Sequence, residues 1–387
     1  MEPSSESRRS LDENSEKQIQ AGVAVELPLA GIRVIEAGAY ITAPFSALML
    51  AQLGAHVVKI EPPRGDPFRR FYHRYRGLSA AWVNVNQGKD TVSLDLKSAA
   101  GQEALRAMLS DTDVFVQNWR PGVAESFGLN AEQLVRDYSR LVFVSISGFG
   151  ATGPRAAGPV FDTILQATSG MSVLESRTES PTVLRSYLAD KITAMYGVQA
   201  ILSALVRRDR TGLGGHVEIA MLDAMAHFNF PDLFQERTFI DDELRPVTPP
   251  PTPAILRTVD GHVCIAPVQG RQIAAAVSCL GHPEWISKLK AIGSGAELIA
   301  ELVRLAEPET RLLTSDECVQ RFSDADVPAT RVLTPDEHLV DKQTLHNGLY
   351  DEVPTAFGRI RRVRHPMLID GTTLPHLAPL SESPVAE

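Results

Sequence analysis

What most constrains this chain is a repeated spacing: short apolar runs rich in β-branched residues, each followed by a turn and a stretch of helical length. The runs are Gly31–Ala37 (GIRVIEA), His56–Ile60 (HVVKI), Thr91–Leu94, Val114–Gln117, Leu141–Ser147 (LVFVSIS) and His216–Ala220. Strands of this buried type belong in a sheet covered on both faces. Helices are expected from about Pro44, a residue suited to a first helical turn, over Ala99–Leu109, and over Asp190–Arg208. Thr211-Gly212-Leu213-Gly214-Gly215 stops the last of these, because glycine supplies the left-handed residue that closes a helix. Strands and helices in alternation give parallel βαβ units and an α/β fold. The uncharged stretch Ala37–Val58 is long enough to cross a membrane. Thr42, Pro44, Ser46, Gln52, Gly54 and His56 break its apolar surface, so it reads as strand, helix and strand.

Between 227 and 255 the pattern thins out and ends in Pro249-Pro250-Pro251-Thr252-Pro253. That is a linker into a second unit, with a strand at Gly261–Pro267 and helices after it. Near Val327-Pro328 the chain turns back. The expected organisation is a disordered tail over 1–25, a large domain over 26–226, a linker and small domain over 227–330, and a C-terminal segment, 331–387, rejoining the large domain. The tail is polar, with no apolar segment, and is not a signal peptide. A formal charge of −9 offers no global field for nucleic acid or an anionic membrane. An anionic ligand must therefore be held by a local cluster of cations. Cys264, Cys279 and Cys318 cannot make a disulfide framework or a cysteine zinc site, and they point to a reduced, cytoplasmic protein. No His-Glu-x-x-His pair occurs, and no metal site is expected.

The chain contains one Gly-x-Gly-x-x-Gly, at Gly148, Gly150 and Gly153, directly after LVFVSIS. A dinucleotide site needs the third glycine to open a helix. Pro154 and Arg-Ala-Ala-Gly-Pro follow instead, so nicotinamide binding is not expected. Three turns, Glu61–Arg70, Asn84–Asp90 and Gln117–Gly122, fall where open α/β sheets bind ligands, at the carboxyl ends of strands. They carry Arg64, Arg69, Arg70, Lys89 and Arg120, a positive cluster in an acidic chain. Asp190 heads an uncharged helical run, Ile192–Val206. Its residue type suits a helix N-cap, and the same place holds a carboxylate ionised and aimed at a pocket, as a nucleophile requires.

Taken in order, GIRVIEAG, LGAHVVKIEPPRGDPFR, NQGKDTVSLDLK, QNWRPG, SISGFGATGP, FDTILQATSG, LADKITAMYGVQAILSALVRRDRTGLGGHVEIAMLDA and DVPATRVLTPDE resemble the family III CoA-transferases, the CaiB/BaiF group, from about Leu27 to Pro366. The resemblance implies a Rossmann-like large domain whose parallel sheet is formed by both chain ends, a smaller α+β domain, and a homodimer of interlocked subunits. It implies that Asp190 is the nucleophile of an acyl-CoA:carboxylate CoA-transferase working through aspartyl anhydride and aspartyl-CoA thioester intermediates. The implied CoA contacts are Asn86, Gln87, Gly88 and Lys89, then Asn118, Trp119 and Arg120, with Phe161 and Asp162. CoA enters as a substrate, and no tightly bound cofactor is implied. The partners are an acyl-CoA donor and a carboxylic acid acceptor.

Ile41 stands where oxalate and formyl transferases have glutamine, Ser126 replaces a basic residue, and the tetraglycine loop is missing. These departures imply a bulkier organic acid than oxalate or formate. A racemase branch of the same family places a histidine where Phe161 stands, and phenylalanine moves no proton. The alternatives, a 2-methylacyl-CoA racemase-like enzyme and a non-catalytic acyl-CoA-binding protein, rank below transfer.

Overall fold

The computed structural model describes residues 26–174, 180–240, 254–292 and 295–379. The expected tail over 1–25, the proline run and residues 380–387 lie outside them. The chain divides into two compact units: residues up to Leu233 together with those from Gly348, and Phe234–Asn347.

The first unit is built on β1 (Arg33–Glu36), β2 (His56–Glu61), β3 (Asp90–Ser93), β4 (Val114–Gln117), β5 (Val142–Ser147) and β6 (Gly215–Ala220). All neighbours in this sheet are parallel, in the order β3-β2-β1-β4-β5-β6. This 3-2-1-4-5-6 order is that of the doubly wound Rossmann sheet. The two-residue alternation of each strand divides its apolar side chains between two cores. Val114, Val116, Val142, Val144 and Ile146 face α1 (Thr42–Gln52) and α5 (Leu188–Thr211). Phe115 and Phe143 turn the other way, onto Leu105 and Leu109 of α3 (Ala99–Leu109). Each such side chain contributes about 1.5–3 kcal/mol on leaving water, so the register that buries both faces wins. Helix α5 ends at Gly212, whose φ of 76° lets its N–H donate back to the Arg208 carbonyl at 2.7 Å.

The C-terminal segment adds no strand to this sheet, which corrects the expectation of a sheet formed by both chain ends. Tyr350–Thr355 and Gly358–Val363 instead pair only with each other, as an antiparallel hairpin. The reason lies in its residues: Arg359, Arg361, Arg362, Asp351, Glu352 and Pro354 leave no strand that a parallel sheet, buried on both sides, would accept. The second unit is α+β. Ala254–Arg257, His262–Ile265 and Ala329–Arg331 form an antiparallel three-stranded sheet, and its core includes Leu256, Val263, Leu302 and Phe322. Among the described residues, no helix is long and apolar enough to cross a membrane, and no group of three or more His, Cys, Asp or Glu side chains is placed to hold a metal.

Candidate active site

Helices α1 and α5 pack against each other inside the first core, and their approach is set by small residues. A Cβ on Gly197 would lie 2.8 Å from Ser46 Oγ. Ser46 bridges the pair, donating to Thr42 O at 2.9 Å and Ala194 O at 3.1 Å. This close contact brings the first turn of α1 to the first turn of α5. There the buried Thr42 hydroxyl donates to Asp190 Oδ1. Asp190 is the third residue of α5, not its cap; Tyr187 holds the cap position and makes no side-chain cap bond. The Asp190 backbone N–H donates to Asp162 Oδ1 at 3.1 Å, and Asp162 Oδ2 accepts from Gln166 Nε2 at 2.6 Å. Asp162 opens α4 (Asp162–Thr168) and is itself buried. Burial pushes the Asp190 carboxyl up to about 6; the Thr42 hydrogen bond resists that rise and the nearby Asp162 adds to it. A carboxylate with this raised basicity is still mostly ionised at neutral pH and is a better nucleophile than an exposed one.

The loop joining β1 to α1 is fastened at each residue. Gly38 N–H donates to Glu36 Oε1 at 2.8 Å, and Gly38 O accepts from Lys59 Nζ at 3.0 Å. Asn118 holds both backbone groups of Ala39, each at 2.9 Å. Tyr40 N–H donates to Asp66 Oδ1 at 3.3 Å, with Tyr40 at φ 63°, a left-handed conformation that costs a bulky residue about 1–2 kcal/mol. Beneath this loop lies an ion-pair network. Lys59 contacts Glu36 at 3.1 Å and Asp66 at 3.2 Å, and Lys89 contacts Glu36 at 3.2 Å, all four side chains being withdrawn from solvent. Burial alone would raise Glu36, but the two ammonium groups outweigh it and hold the carboxyl below its ordinary range. Burial pulls Lys89 down to about 8, with repulsion from Lys59, against the attraction of Glu36.

The expected positive cluster is therefore divided. Lys89 is buried, with its donors taken by Glu36, by Pro44 O at 2.7 Å and by Asn86 Oδ1 at 2.9 Å. Arg69 binds Glu61 at 2.7 Å and lies 3.7 Å over the Trp82 ring. Arg70 donates to Arg64 O at 2.8 Å. Arg64 and Arg120 are exposed. The buried Asn86 donates to Trp82 O, Gln87 is also buried, and Gly88, at φ 70°, backs onto Leu377. The Trp119 ring is half-buried, edge-on to Phe127 at 5.2 Å, and the Trp119 backbone N–H donates to Gln117 Oε1 at 2.6 Å. Phe161 is 62% exposed.

The family model for CoA-transferase family III matches residues 29–382, nearly the whole chain. The chain belongs to CoA-transferase family III. A succinate–glutarate CoA-transferase from Agrobacterium fabrum is 30% identical over 377 residues, spanning 91% of this chain and 92% of that one. An acetyl-CoA:oxalate CoA-transferase from Acetobacter aceti is 36% identical over 204 residues, and there the match spans 52% of each chain. The crystal structure of a CaiB/BaiF family protein from Brucella suis superposes with a TM-score of 0.78 at 26% identity, covering 92% of this chain and 96% of that one.

The two positions expected to depart from the family's pattern, Ile41 and Ser126, have local roles here. Ile41 is buried and immediately precedes α1. The Ser126 hydroxyl closes its own turn on Val123 O at 2.7 Å. Two groups escaped the sequence reading, Thr42 and the Glu36–Lys59 pair. The second had a visible signal: Glu36, between Ile35 and Ala37, and Lys59, between Val58 and Ile60, are opposite charges set among apolar neighbours, and they are register partners.

Proposed function

We propose that this protein moves CoA between organic acids, with Asp190 as the covalent nucleophile. The Asp190 carboxylate attacks the thioester carbonyl of an acyl-CoA; the C–S bond breaks, CoA leaves as thiolate, and an aspartyl–acyl anhydride remains. The thiolate attacks the aspartyl carbonyl, releasing the donor acid as its carboxylate and leaving an aspartyl-CoA thioester. An acceptor carboxylate attacks the carbonyl of that thioester, the C–S bond breaks and CoA thiolate leaves a second aspartyl–acyl anhydride; the thiolate then attacks the acceptor's acyl carbonyl, forming the new acyl-CoA and expelling Asp190 as its carboxylate. One thioester is exchanged for another, so charge and electrons balance without ATP or a redox partner. Water must be kept out, since it would hydrolyse either intermediate.

The observation that carries this reading is the half-buried Asp190 carboxyl, raised to about 6, on the first turn of a long helix. Thr42 orients the attacking oxygen. Trp119, Arg120, the Gln87–Gly88 turn and Phe161 contact CoA, whereas Asn86, Lys89, Asn118 and Asp162 act from behind, by holding the turns that touch it. Racemisation is not supported, because Phe161 supplies no second acid or base. The same reading includes an interlocked homodimer in the cytoplasm.

Incubation with acetyl-CoA or succinyl-CoA and hydroxylamine, followed by peptide mass spectrometry, is expected to place a hydroxamate on Asp190. Transfer that persists in Asp190→Ala overturns the assignment, and sedimentation of the full chain tests the dimer.

A further inference from the structure

Six aromatic rings converge on the segments that carry Asp190. Tyr40, two residues before Thr42, meets Phe161 at 5.7 Å, Phe68 at 5.9 Å and Phe71 at 6.2 Å between ring centres. Phe68 meets Tyr187 at 6.3 Å, and Phe71 meets Tyr72 at 4.2 Å. Tyr187 lies three residues before Asp190, and burial raises its phenol, with added repulsion from Tyr72, Asp190 and Asp162. Through Tyr187 one end of this ring cluster is within electrostatic reach of Asp190. The cluster is also open: Phe161 is 62% and Tyr72 72% exposed. The left-handed Tyr40 shows that the fold tolerates strain to hold one of these rings in place.

Charge points the same way. The groups that act on Asp190 and Tyr187 are carboxylates, a threonine hydroxyl and a phenol. Of the cations nearby in sequence, Arg69 pairs with Glu61, Arg70 donates to Arg64 O, and Lys191 donates to Ser186 Oγ at 2.8 Å. None of the groups acting on Asp190 and Tyr187 is a cation, so they offer no counter-charge to the second carboxylate of a dicarboxylic acid. A flat apolar group would find ring edges and faces at the spacing aromatic pairs favour.

Building on Asp190 as nucleophile, we propose that the acid this enzyme activates carries an aryl group, seated against Phe161, Phe71 and Tyr40. The exchange is otherwise the one above, the aryl acid's carboxylate taking CoA and the donor acid leaving.

The test measures CoA transfer by the full-length protein from acetyl-CoA to phenylacetate, cinnamate, hexanoate, succinate and glutarate. Aryl acids are expected to show kcat/KM at least 10-fold above the others. In Phe71→Ala the KM for the aryl acid is expected to rise at least fivefold, while the KM for acetyl-CoA moves less than twofold; Phe71→Tyr is expected to keep the aryl KM low. Preference for succinate, glutarate or hexanoate, with Asp190 still trapped by hydroxylamine, overturns the aryl proposal and leaves the nucleophile standing. An unchanged aryl KM in Phe71→Ala overturns it too. No transfer to any acid and no adduct on Asp190 overturns the underlying reading, and the proposal with it.

Discussion

Glu36 and Asp190 are both carboxylates withdrawn from water, and they meet opposite surroundings. Glu36 faces Lys59 and Lys89, accepts the Gly38 N–H, and is held below its ordinary range. Asp190 has one hydroxyl donor and a second carboxylate nearby, and is raised to about 6. A carboxylate matched by cations is inert and ties strands together. One left short of them is basic and ready to react. The contrast separates scaffold from chemistry within a single unit.

The contrast can be broken most sharply at Asp190. Replacing it with alanine is expected to lower transfer by about 10³-fold or more, measured as steady-state kcat, because no other side chain supplies the covalent intermediate. Glu36→Ala removes the carboxylate shared by two buried lysines, leaving Lys89 without a counter-charge, and is expected to cost about 3–5 kcal/mol in urea unfolding; a loss below about 1 kcal/mol would remove Glu36 from the scaffold. Asp190→Asn should do the reverse and stabilise the fold by about 1–3 kcal/mol at pH 8. The sign follows from the folded carboxyl binding its proton more tightly than the unfolded one. Wild-type stability therefore declines as pH rises from about 4 through 6, and the variant's advantage should vanish near pH 4. The smallest effect is at Thr42. Thr42→Val removes the donor that favours the ionised form, so the acid limb of kcat/KM, near 6 in the wild type, should move up by about one unit. Thr42→Ser is expected to restore it.

The sheet was legible because its strands are covered on both sides. Period-two alternation into two cores leaves runs such as LVFVSIS with few alternatives, and the observed strands agree with those runs to within a residue or two. The site was legible only in part. Asp190 stood out through the family resemblance and its place at the head of a helix. Thr42 did not, because 148 residues separate it from Asp190 and the packing of α1 on α5, close at Ser46 and Gly197, brings the two turns together. Lys89 and Asn118 look like ligand contacts in sequence, since lysine and asparagine in turns are usually solvent-facing. Glu36 and Ala39, from a strand and loop far away in sequence, claim their polar groups instead.

Asn118 joins two turns that lie 79 residues apart. Because one amide clasps both polar groups of Ala39, the Trp119 turn cannot tilt without carrying the start of α1, and Thr42, along with it. On the proposed reading, a ligand seated at Trp119 and the Thr42 hydroxyl on Asp190 are thereby linked through one staple instead of two separate adjustments.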